Sequence, residues 1–145
     1  VEEVDMIIGM TGARDGMTEE QKKTFARGIA HFKATTLHHG DCIGADADAH
    51  DIASAEGLSI TIHPPEDDKL RAFKREEGDQ EHEPLGYFVR NRNIVNDSEI
   101  LIGFPKTYFE TKGGTWYTIN YGKRQGKPVY VVLPDGSVDR FNIPE

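Results

Sequence analysis

Apolar positions in this chain fall in short blocks, separated by polar stretches with glycine or proline at their edges. Met6-Ile7-Ile8-Gly9-Met10-Thr11-Gly12 reads as a buried strand running into a glycine turn. Thr18-Glu19-Glu20-Gln21 has the form of a capping box, with Thr18 as N-cap and Gln21 at N3. It predicts a helix from Glu19 to Lys33 with Phe25, Ile29 and Phe32 on one face. Thr35 to His38 predicts a short strand, Gly40 to Gly44 a turn, and Ala45 to Glu56 an alanine-rich helix ended by Gly57. Leu58 to His63 alternates as a strand and stops at Pro64-Pro65. Leu85 to Asn96 predicts a helix, and Glu99 to Phe104 a buried strand ending at Pro105. Gly113-Gly114 opens a helix over Thr115 to Arg124, closed by Gly126. Pro128 to Leu133 is the last core strand; after the Asp135-Gly136 turn, Val138 to Ile143 adds an edge strand.

Glu66 to Glu83 is highly charged and has no apolar face, which predicts a mobile loop with one helical turn around Leu70 to Phe73. Strands alternating with helices predict an α/β fold. The expected form is a Rossmann-like three-layer sandwich, with a mainly parallel sheet of about five strands and helices on both faces. Residues 1–145 are expected to form a single nucleotide-binding domain. Such sheets bind ligands at the carboxyl ends of their strands. The glycine-rich turns here all follow predicted strands.

Composition narrows the function classes. No apolar stretch is long enough to span a bilayer, so no membrane association is expected. Val1-Glu2-Glu3-Val4-Asp5 is too acidic for a secretory signal, and the single cysteine, Cys42, fits a reducing compartment. A cytoplasmic location is expected on those grounds. A net charge of −8 disfavours broad nucleic-acid binding but not a local basic pocket.

Gly9, Thr11, Gly12 and Arg14 mark the first strand end, where glycine lets backbone approach a ligand and arginine adds a bidentate charge. Gly40, Asp41, Gly44 and Asp46 mark the second. Asp41 could accept from ribose hydroxyls or merely suit a turn; Asp46 could instead serve the helix dipole. His38, His39, His50 and His63 match no zinc spacing, and no metal is expected. In Arg90-Asn91-Arg92-Asn93, positions 90 and 93 share a helix face and Arg92 points elsewhere, so one arginine is expected to turn inward. Lys112-Gly113-Gly114-Thr115 carries the firmest expectation, an anion site at a helix N-terminus with Thr115 and Thr118 as hydroxyl donors. Trp116 and Tyr117 could stack on a base or belong to the core.

As an ordered series these residues resemble the SLOG superfamily, which unites the DNA-processing protein Smf/DprA with the LOG phosphoribohydrolases. The similarity runs from Gly9 to Leu133 and lies nearest the small YspA/YpsA-like branch of bacterial and phage proteins. His63-Pro64-Pro65 and Gly113-Gly114-Thr115-Trp116-Tyr117-Thr118 belong to it, as do the turns above. The resemblance implies a Rossmann-like fold, a nucleotide-derived ligand and homo-oligomers. In LOG enzymes a glycine-rich motif ends in a catalytic glutamate that works with an arginine. Matching on Gly114-Thr115 puts Thr118 at that glutamate, and Arg90 or Arg92 at the arginine. Threonine cannot do carboxylate chemistry at neutral pH, so any catalysis would fall to Arg90 with Asp41, Asp46 or Glu110. The expected function is sensing or sequestering a nucleotide or ADP-ribose-like ligand, with no required cofactor. The alternatives are an N-glycosidase of LOG type and a single-strand nucleic-acid binder using Arg90, Arg92 and Trp116.

Overall fold

In a computed structural model, residues 4–108 and 113–144 are described. Glu110 and Lys112 lie outside the described residues. The first apolar block, β1 (Ile7–Gly12), becomes the central strand. It is followed by α1 (Glu19–Phe32), β2 (Thr36–His39), α2 (Ala45–Ala55) and β3 (Ser59–Ile62). A 3-10 turn (Asp68–Leu70) and the short β4 (Gln80–Glu81) come next. The chain then forms α3 (Tyr87–Asn96), β5 (Ile100–Phe104), α4 (Gly114–Arg124), β6 (Val129–Val132) and β7 (Val138–Phe141). The sheet has seven strands in the order β4-β3-β2-β1-β5-β6-β7, parallel except for β7.

The chain therefore runs outward from β1 to β4, returns to the other side of β1 at β5, and continues outward again. The connections that leave the carboxyl ends of the paired β1 and β5 part at this reversal, toward α1 and toward α4, and leave a crevice where open α/β sheets hold ligands. One core lies under α1 and α2 and includes Ile8, Met10, Phe25, Leu37, Ala49 and Phe104. The other lies under α3 and α4, around Val95, Leu101, Ile119 and Val129. Gly9 gives α3 its close approach to β1, because a Cβ there would meet Ile94 and Ser98.

Local signals explain the helix ends. Thr18 Oγ1 accepts from the Gln21 amide at 3.0 Å, while Gln21 Oε1 accepts from the Thr18 amide at 2.9 Å. The buried Gln21 Nε2 also donates to Pro105 O and Val132 O, tying the start of α1 to the ends of β5 and β6. The sheet exceeds the expected strand number chiefly through β4, whose two exposed polar residues carry no apolar pattern.

The charged stretch 66–83, expected as a loop, also carries the 3-10 turn and β4, and its charges find partners. Arg71 Nε donates to Asp41 Oδ2 at 2.9 Å and its Nη2 to Glu81 Oε1 at 2.6 Å. Lys74 pairs with Asp51 at 2.9 Å, and Glu76 Oε1 meets His50 Nε2 at 2.8 Å. Asp41 is fully buried, so Arg71→Ala strips charge compensation from a dry carboxylate, a loss costing about 2–4 kcal/mol. Hydrogen exchange of amides 68–82 should then speed up, while amides of β1 and β5 keep their relative protection.

Candidate functional site

A cavity of about 790 Å³ opens at the crevice between β1 and β5. Thr11, Gly12 and Arg14 line it from the end of β1, and Pro105 and Lys106 from the end of β5. Cys42 and Asp46 reach it from the turn into α2, Tyr87, Arg90 and Asn91 from α3, and Gly113, Gly114, Thr115 and Trp116 from α4.

The start of α4 forms one wall. Gly113 is its N-cap, with φ 98°, a left-handed conformation that favours glycine. Among the described residues, no side chain caps this end and no acid lies in the first turn. Its first amides and positive dipole end thus border the cavity with no partner among the described residues, which is the physical requirement for an anion site. α3 likewise starts, at Gly86, without a side-chain cap or a first-turn acid, whereas α1 closes its own N-terminus with the Thr18–Gln21 box and α2 carries Asp46 and Asp48 in its first turn.

Arg90 is the inward-turned arginine, only 5% exposed. Its Nη1 donates to Gly40 O at 2.6 Å and to His63 O at 3.2 Å, and its Nε to Asn91 Oδ1 at 2.7 Å. Gly40 is glycine for this contact, since a Cβ would strike the guanidinium. Asp46 lies beside Arg90; burial pushes its carboxyl up to about 6, against the pull of Arg90 and the amides of Cys42 and Gly40. Burial, then the Asp46 charge, also raises the Cys42 thiol. At the mouth, Lys106 Nζ and Asp15 Oδ2 pair at 2.6 Å.

Several expected ligand residues are engaged elsewhere and do not line the cavity. The Asp41 carboxylate accepts from Arg71 and from the Lys74 amide, so it anchors the 66–83 segment rather than meeting a ribose. Thr118 is buried and its hydroxyl donates to Gly114 O at 2.9 Å, so it is not a free donor to phosphate. Arg92 donates to Tyr117 Oη at 3.0 Å and joins α3 to α4. Gly9 and Gly44 serve packing: a Cβ on Gly44 would run into the Arg14 and Ala13 carbonyls. Lys106 and Tyr87 are additions; the position of Lys106 just beyond an apolar strand and its proline was the sequence signal available for it.

The expected histidines are brought together in pairs. His38 Nδ1 and His63 Nε2 lie 2.7 Å apart, and His39 Nε2 and His50 Nδ1 lie 2.9 Å apart. Burial lowers the His38 and His39 rings below their ordinary value of 6.5, His39 well below, and takes His63 to about 3. Neutral in the fold, these rings bind protons only once unfolded, so their stabilising share is present above pH 6.5 and is lost as pH falls toward 3. Asp46 has the opposite sign: its share is present below 3.8 and is lost as pH rises through about 6. The histidines outnumber it, so Tm is expected to fall between about pH 7 and pH 4.5. In calorimetry across that range, Asp46→Asn should steepen the fall; a Tm rising on acidification would contradict this balance.

The strand order, the reversal beside β1 and the glycine-opened α4 define a Rossmann-like fold. No family model and no curated protein matches the sequence. Among solved structures, the chain is similar to the molybdenum cofactor binding protein of the phototrophic bacterium Rippkaea orientalis. That match has 20% identity and a TM-score of 0.66, covering 90% of this chain and 77% of that one. It is also similar to the Moco carrier protein of Chlamydomonas reinhardtii, at 22% identity and TM-score 0.65, over 90% of this chain and 77% of that one. A third similar structure is DNA processing protein A of Streptococcus pneumoniae, at 16% identity and TM-score 0.65, over 88% of this chain but 50% of that one. At these identities the likeness establishes the fold. No described helix is long and apolar enough to cross a membrane.

Proposed function

We propose that this chain is a single binding domain of the small YspA-like SLOG type, holding a nucleotide-derived ligand. The ligand's phosphate sits at the Gly113–Thr115 start of α4. The observation that carries this reading is the N-terminus of α4, which no side chain caps and no first-turn acid neutralises among the described residues, bordering a cavity at the sheet's reversal. Thr11, Gly12 and Arg14 supply the facing wall, and Trp116 with Tyr87 offers aromatic surface to a base. The volume suits a ligand of nucleotide size. Two similar structures are of a molybdenum cofactor binding protein and a Moco carrier, which supports a small cofactor-like cargo over a macromolecule. The net charge of −8 weighs against the single-strand nucleic-acid reading that the DNA-processing neighbour invites. A cytoplasmic homo-oligomer is part of the same reading, following the resemblance.

The test is calorimetry with nucleoside mono- and diphosphates, ADP-ribose and the molybdenum cofactor. Saturable binding of at least one, lost when the start of α4 is altered, supports the proposal; no binding across the panel sinks it.

A second reading, N-glycosidic hydrolysis, is favoured by one observation. Asp46 lines the cavity with a carboxyl held up near 6, whereas Asp41 is committed elsewhere. Asp46, rather than Asp41, would then work with Arg90 on the sugar. Free base released from nucleoside monophosphates by the wild type and not by Asp46→Asn would establish it; absence of release in the wild type would remove it.

A further inference from the structure

Away from the cavity, the fold gathers side chains that the sequence keeps apart. His38 lies on β2, His63 just after β3, and Asp97 at the C-cap of α3. His63 Nε2 stands 2.7 Å from His38 Nδ1 and 3.9 Å from Asp97 Oδ2. One ligand atom from each residue falls within 4.8 Å of the other two. We propose that His38, His63 and Asp97 bind a single divalent first-row transition ion, of which Zn²⁺ is the reference case.

The donor chemistry selects the class of ion. Two imidazole nitrogens and a carboxylate oxygen suit Zn²⁺, Co²⁺, Ni²⁺ or Fe²⁺, whereas Ca²⁺ and Mg²⁺ call for oxygen donors. The spacing fits as well. With metal–nitrogen bonds of about 2.0–2.1 Å, two nitrogens at a tetrahedral centre stand roughly 3.3 Å apart. The rings therefore need to part by less than about 1 Å to admit an ion. In the metal-free chain one proton lies between the ring nitrogens; the ion takes its place and that proton moves to the outer nitrogen of its own ring, so both imidazoles coordinate as neutral ligands.

The surroundings distinguish this cluster from a plain buried hydrogen bond. The His38 and His63 rings are buried, but the Asp97 side chain is 46% exposed, leaving a path for the ion and a position for water. His82 stacks on His63 at 4.3 Å and 13° between planes, which holds the ring toward the site. The other pair is arranged differently. His39 Nδ1 accepts from the Asp41 amide, and His50 Nε2 meets Glu76, so both outer nitrogens of that pair are already used.

The test uses the full chain with Zn²⁺ in calorimetry and Co²⁺ in visible absorption. One ion per chain is expected, with Co²⁺ showing the intense bands of low coordination. Loss of a ligand should exceed the 10- to 100-fold effect of losing an outer partner, so Asp97→Asn and His38→Gln should each weaken binding by more than about 100-fold. His50→Gln should leave affinity unchanged. Because the Asp97 side chain is half exposed, Asp97→Asn keeps the test decisive if His38→Gln does not fold. No saturable binding, or wild-type affinity in Asp97→Asn, overturns the proposal.

Discussion

Gly114→Asp is expected to abolish nucleotide binding while leaving the fold intact. No described residue lies within 4 Å of a Cβ built on Gly114, so the side chain meets no obstacle among them. The position is the first residue of α4, where a carboxylate complements the helix dipole. Tm should therefore stay level or rise by a degree or so. The same carboxylate sits where the proposed phosphate would, repels it, and competes for the free amides. Charge-assisted hydrogen bonds contribute about 1.5–3 kcal/mol each, so losing a pair predicts a fall in affinity of more than about 100-fold. Gly114→Ala, which adds bulk without charge, should retain most of the binding. Calorimetry of both variants with the same ligand separates charge from shape; equal affinity in wild type and Gly114→Asp would place the phosphate elsewhere.

Arg90→Ala should be the most destabilising single change at the site. The guanidinium serves two buried carbonyls, Gly40 O and His63 O, and stands beside the buried Asp46. Removing it leaves those acceptors unpaired and the carboxylate uncompensated, at a cost of about 3–5 kcal/mol. Arg90 lowers the Asp46 carboxyl, so the variant should titrate that group higher than about 6. Denaturant unfolding measures the first effect, and NMR titration of the Asp46 carboxyl the second. Arg90→Lys should restore only part of the stability, because an ammonium cannot reproduce the fork that reaches both carbonyls. Binding lost in Arg90→Ala thus mixes fold and ligand effects, and Gly114→Asp is the cleaner probe of the ligand.

What was legible in the sequence was local. The Thr18–Gln21 box, the apolar run of β5 and the glycines opening α4 each express a short-range rule, and each stands close to where that rule puts it. The mainly parallel sheet followed from alternation, and a cavity at the carboxyl ends of its strands from that, but the strand order did not. Side-chain direction was less accessible. Asp41 and Asp46 lie in one turn and look alike in sequence, yet Asp41, at φ 56°, turns toward Arg71 while Asp46 faces the cavity. Only the path of the distant 66–83 segment decides between them. The same holds for β4, whose Gln80 and Glu81 pair with Thr61 and Ile62 of β3 without any apolar periodicity. His38, His63 and Asp97 show no zinc spacing because the fold, not the local chain, assembles them.

The central claim is that α4 presents its N-terminus to a phosphate. Titration of ¹⁵N-labelled protein with the tightest-binding nucleotide tests it most directly. The account predicts the largest amide shifts at Gly114, Thr115 and Trp116, with smaller ones at Thr11 to Arg14 across the cavity. Shifts centred instead on the second cavity, between Phe32, Tyr130 and Arg140, would contradict it.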